Sequence, residues 1–176
     1  MQKVKLTNLK QMALTVAYVQ EHGYGSREAL RASYNEIASK RSEARMALRA
    51  TEDKLKAVNE QIHYTGQYLS NKKVYGEMLK AKNKKKFRQE HSAEIALYEV
   101  AVKFLKAHHP DRKIPSMKSL QQEKDSLTIC KTAQQETYQY FKDYVKELKT
   151  VCTNVDAILD QPQTRKPVRA QSHEIS

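Results

Sequence analysis

The chain has 176 residues and a formal net charge of +12, from 32 Lys and Arg against 20 Asp and Glu. Leu, Ile, Val and Phe make up only about a fifth of it, with four Gly, four Pro and no Trp. This disfavours an α/β enzyme, whose buried sheet needs dense Val/Ile runs and Gly-rich turns. A long helical chain can still fold on such a composition, because a coiled-coil seam needs apolar residues only at the a and d positions.

The N-terminal segment Leu6–His22 carries Leu9, Met12, Ala13, Val16 and Val19 at helical spacing. Gly23-Tyr24-Gly25 ends it, and Ser26 caps the next helix with Glu28 in its first turn. Counting four and three from Leu30 gives Leu30, Tyr34, Ile37, Arg41, Ala44, Leu48, Thr51, Leu55, Val58, Ile62, Thr65 and Leu69. This predicts a long helix over 26–82 whose seam dissolves after Leu69, where Gly76 and a lysine cluster follow.

A shorter helix is expected over 84–109. Ser92 reads as a local start, with Lys84–Gln89 as alternative first turns. Its apolar residues are Ile95, Leu97, Tyr98, Val100, Ala101, Val102, Phe104 and Leu105, a face broad enough to bury against more than one neighbour. His108-His109-Pro110-Asp111 ends it, and Ile114-Pro115 marks a second boundary.

Ser116 opens a return helix over 116–160. Its seam is Leu120, Lys124, Leu127, Lys131, Gln134, Tyr138, Phe141, Val145, Leu148, Cys152, Val155 and Leu159, polar in the middle and apolar at both ends. Residues 161–176, with two Pro and the cations Arg165, Lys166 and Arg169, read as a disordered basic tail. The expected fold is all-α: an elongated antiparallel helical hairpin with a short N-terminal helix over 1–25 and an inserted short helix. Each seam pairing with its copy in a homodimer is the alternative.

No apolar run approaches the roughly 18 residues that span a bilayer, so no membrane insertion is expected. The N-terminus MQKVKLTNLK lacks the apolar core of a signal peptide. Cys130 and Cys152 on one helix would stand roughly 33 Å apart and could not pair with each other. A cytoplasmic location follows as the expectation.

No catalytic, metal-binding or cofactor-binding constellation is present: H-E-x-x-H, C-x-x-C and the Gly-rich phosphate loop are all missing. His108-His109-x-Asp111 reads as a helix C-terminus favoured by cationic His. Tyr138, Tyr140 and Tyr144 lack the metal or arginine cluster that a tyrosine nucleophile needs, and read as packing residues. The strongest local feature is electrostatic. Lys72, Lys73, Lys80, Lys82, Lys84, Lys85, Lys86 and Arg88 face Glu77 alone over residues 72–88. Such a cluster attracts phosphate backbones without reading sequence. Tyr68, Tyr75 and Phe87 are interleaved and would stack on bases if exposed.

Four stretches in order, LTNLKQMALTVAYVQEHG (Leu6–Gly23), KKFRQEHSAEIALYE (Lys85–Glu99), IPSMKSLQQE (Ile114–Glu123) and NVDAIL (Asn154–Leu159), resemble the C-terminal helical region of relaxases. These are mobilization nucleases of conjugative and mobilizable elements in Firmicutes. The resemblance spans about residues 5–160. In that family the nicking chemistry lies in an N-terminal domain with a catalytic Tyr and a His cluster, and nothing here matches those motifs. The resemblance therefore implies a non-enzymatic domain that supports DNA transfer by contacting the DNA backbone or docking relaxosome or coupling proteins. The rivals are a coiled-coil protein-interaction scaffold with no nucleic-acid role, and an enzyme with a cryptic site.

Overall fold

The computed structural model describes residues 2–111 and 113–160, with side chains from residue 9 onward. The expected tail over 161–176, including Arg165, Lys166 and Arg169, lies outside the described residues. The described chain is all-α: α1 (Gln2–Glu21), α2 (Arg27–Lys80), α3 (Lys84–Glu90), α4 (Ser92–His108) and α5 (Met117–Leu159). It forms two compact units, one from residues 2–41 with 141–160, the other from residues 42–140. The antiparallel helices α2 and α5 contribute to both.

In the first unit α1, the start of α2 and the end of α5 enclose a core of Leu30, Leu148 and Val151. Tyr18, Val19, Tyr24, Ile37, Tyr144 and Val155 pack around it. Arg27 and Arg31 of α2 clasp Asp156 of α5 at 2.6 and 3.0 Å. The turn after α1 has the hydrogen bonds of a Schellman cap. Gly23 takes φ +67°, its N–H donates to the Gln20 carbonyl (3.2 Å), and the Tyr24 N–H donates to the Val19 carbonyl (3.0 Å). The Ser26 hydroxyl then accepts from the Ala29 N–H (3.1 Å), so the cap is where the sequence puts it.

The buried face of α1 differs from the expected one. Leu9, Ala13 and Val16 are exposed, whereas Thr15 is buried and Met12, Tyr18 and Val19 are half-buried. The reason is a polar contact: Asn154 of α5 donates to the Thr15 hydroxyl (3.0 Å), which itself donates to the Gln11 carbonyl (2.8 Å). Val16, 45% exposed, lines a shallow groove with Val155, Ile158 and Leu159 of α5.

In the second unit the middle and end of α2 meet α4 and the start of α5, and α3 packs on α4. Leu48, Thr51, Val58 and Thr65 are buried along α2, and Leu120 along α5. Lys131 of α5 reaches Glu52 of α2 at 3.0 Å. Of the twelve seam positions counted along α2, all but Leu69 are buried or half-buried, and along α5 all but Leu159. The two seams thus cover each other within one chain, the intrachain arrangement of the two that the sequence left open.

Two expectations are corrected at the far end of α2. The buried face does not dissolve after Leu69; it shifts by one residue, through Tyr68 and Tyr75 to Met78, and Gly76 lies within the helix. Leu69 itself is 52% exposed. A 3.5-residue repeat drifts on a 3.6-residue helix, and here α4 becomes the covering neighbour. The inserted helix is two helices. Asn83 caps α3 by accepting from the Lys86 N–H (3.0 Å), and the chain bends at His91 before α4 starts. Ser116 caps α5, as expected, by accepting from the Ser119 N–H (3.1 Å).

Candidate functional site

The lysine cluster occupies the end of α2, the turn at residues 81–83, and α3. All eight cations are exposed, but they are not equivalent. Arg88 donates from one guanidinium nitrogen to both Glu99 oxygens (2.7 and 2.8 Å), tying α3 to α4. Lys73 and Lys86 stand 4.0 and 3.9 Å from Glu77 and Glu90 one turn on, contacts that contribute little. The Lys72 ammonium sits 5.7 Å from the Tyr68 ring centroid, within cation–π range. Lys80, Lys82, Lys84 and Lys85 have no carboxylate partner among the described residues.

The first turn of α3 holds no acidic residue and three consecutive lysines. Cations at the positive end of a helix oppose its dipole, so this placement costs local stability. Sequence selected for helix stability alone would put carboxylates there.

The interleaved aromatics do not stand free. Tyr75 and Tyr68 stack on Tyr98 of α4 at 4.2 and 5.4 Å between centroids, and Phe87 lies 4.4 Å from the His91 ring. Burial, with Tyr68 and Tyr75 alongside, pushes the Tyr98 hydroxyl up from its ordinary pKa. One turn further, Tyr64 stacks on Phe104 at 4.0 Å. Tyr64, Tyr68 and Tyr75 therefore fasten α2 to Phe104 and Tyr98 of α4, and Tyr98 is a packing partner of the interleaved tyrosines that the sequence did not single out. Its signal was the spacing of Tyr68 and Tyr75, two turns apart on one face of α2.

The other candidates resolve simply. His108 hydrogen-bonds through Nδ1 to the Phe104 carbonyl (3.0 Å) and His109 is the C-cap of α4, so both belong to the helix end. Tyr138 is half-buried, Tyr140 is exposed, and Tyr144 packs on the Leu30–Leu148 core. Among the described residues no three His, Cys, Asp or Glu come together as metal ligands. No described helix is long and apolar enough to cross a membrane.

On α4, Ile95, Ala101 and Leu105 are buried, but Leu97 and Val100 are 42% and 53% exposed. The broad apolar face is thus only partly covered. Ala93, Ala96, Leu97 and Val100 form an outward stripe at i, i+3, i+4 and i+7.

No family model, no curated protein and no solved structure matches this chain. The relaxase resemblance accordingly stands on its four motifs alone.

Proposed function

We propose that this chain is a non-catalytic helical accessory domain of a relaxase-like mobilization protein, acting in the cytoplasm by holding the DNA backbone. The observation that carries the reading is the group Lys80, Lys82, Lys84 and Lys85. These are four exposed ammonium groups without carboxylate partners among the described residues, within six residues of a helix end and its turn. Ammonium groups placed this way neutralise phosphates and release counterions. They carry no means of reading base edges, so binding is independent of sequence. Arg88 holds α3 in place for them rather than joining them. Two free cysteines accord with a reducing compartment.

Replacing Lys80, Lys82, Lys84 and Lys85 with Ala weakens binding to several unrelated duplexes by the same factor, measured by fluorescence anisotropy. Unchanged binding contradicts the reading. A reading frame just upstream that encodes the Tyr and His motifs would support the relaxase assignment; a chromosomal context without one would count against it.

The outward stripe of α4 favours a second reading, a protein-interaction surface that takes a partner helix. Sedimentation separates the two: self-association that Leu97→Lys abolishes supports the scaffold, and a monomer at all concentrations removes a dimer from it.

A further inference from the structure

Near its C-terminal end, α2 carries two leucines that phosphate neutralisation leaves without a role. Leu69 and Leu79 are 52% and 53% exposed. At about 100° per residue they share one arc of about 120° with Lys72, Lys73, Gly76 and Lys80. Met78, on the opposite side, is buried, and Glu77 falls outside the arc. The phosphate oxygens of a duplex offer nothing to a leucine side chain. A partner helix would pack along Leu69, Lys72, Gly76 and Leu79, the a and d positions of this arc, and the lysine and glycine between the leucines break that seam. A lysine stem, by contrast, lies along apolar surface while its ammonium stays in water. The arc thus sets apolar groups among cations and holds no anion.

We infer that this arc is a peripheral contact for the surface of an anionic phospholipid bilayer, with Leu69 and Leu79 at the headgroup–acyl boundary and Lys72, Lys73 and Lys80 on lipid phosphates. The leucines stand about 15 Å apart along the helix axis, so α2 lies along the surface rather than meeting it end-on. Lys82, Lys84, Lys85 and Lys86 continue the cations past Leu79. Charge attraction and apolar burial then act together, as in helices that lie in the interface plane. Of the arc, only Lys80 belongs to the group assigned to DNA, so the two leucines separate the membrane contact from the DNA contact.

Co-sedimentation of the full chain with vesicles tests this, comparing phosphatidylcholine alone with phosphatidylcholine and phosphatidylglycerol in equal parts. Partitioning to the anionic vesicles exceeds that to the neutral ones by about a hundredfold, the scale set by three lysines at the surface. Leu69→Gln with Leu79→Gln lowers partitioning to the anionic vesicles by about tenfold, because two half-exposed leucines no longer enter the boundary, and leaves duplex affinity unchanged. Circular dichroism checks folding; if the double change disturbs the helix, Leu79→Gln alone decides, with a loss of about threefold. Equal binding to both kinds of vesicle, or full binding by the leucine variant, overturns the membrane assignment and leaves the DNA reading standing. Release from the vesicles by glycerol 3-phosphate at matched phosphate concentration makes the site one for soluble phosphates and overturns the assignment as well. A chain that binds anionic vesicles through the leucines but binds no duplex upholds the membrane contact and removes the DNA reading.

Discussion

Leu148 is wholly buried beside Leu30 and Val151, whereas Leu159, eleven residues on, is exposed although it continues the same seam count. Leu148→Ala should cost about 2–5 kcal/mol, and Leu159→Ala should stay within about 0.5 kcal/mol, both read from urea denaturation. Asp156 gives a pH-dependent test. The hydrogen bond from Arg31, with Arg27 beside it, holds its carboxyl below the usual carboxylate range. A depressed folded-state pKa contributes stability above the unfolded value that is lost as pH falls through the folded one. Wild type should therefore exceed Asp156→Asn in denaturation midpoint at neutral pH, and the gap should close below the ordinary carboxylate range. The seam leucines were legible because apolar spacing reports the face of a helix. Thr15 was not, because its burial depends on Asn154, far away in the chain. Cys152 is half-buried against the same core: burial, then the Asp156 charge, pushes its thiol up, while Cys130 is exposed. A maleimide probe should label Cys130 first.

Among the elements, α2 and α5 could be read almost to the residue, since Ser26 and Ser116 are strong caps and neither helix contains Pro. The break between α3 and α4 was less legible. Residues 84–109 read as one inserted helix because the bend at His91 has no Gly or Pro to announce it. The three lysines in the first turn of α3 set stability against function. Lys84→Glu with Lys85→Glu places acids at the positive end of the helix and should stabilise it by about 0.3–1 kcal/mol each. The same change should weaken DNA binding. Arg88→Ala should do the reverse, loosening α3 from α4 while taking little from the phosphate contacts, as amide exchange over residues 84–90 would show.

Across the whole molecule, the excess of positive charge in the sequence is concentrated over residues 72–88, eight cations against Glu77. The structure places Lys72, Lys73 and Lys80 on α2, whose Tyr68 and Tyr75 stack on Tyr98 of α4, and the other five on the following turn and α3. Composition located the cluster. It could not show which cations are spoken for, because Glu99, the partner of Arg88, sits on another helix eleven positions away. Nor could it show that both long helices serve two compact units, since a continuous heptad looks the same through either. The function proposed for this surface rests on Lys80, Lys82, Lys84 and Lys85 holding DNA through its phosphates. Its sharpest test is the affinity for one arbitrary duplex across a series of salt concentrations, for wild type and for the variant with all four changed to Ala. Log affinity should fall linearly with log salt, and the slope should be smaller in the variant by about 0.9 for each phosphate that is no longer neutralised. Identical slopes for the two proteins would contradict the proposal.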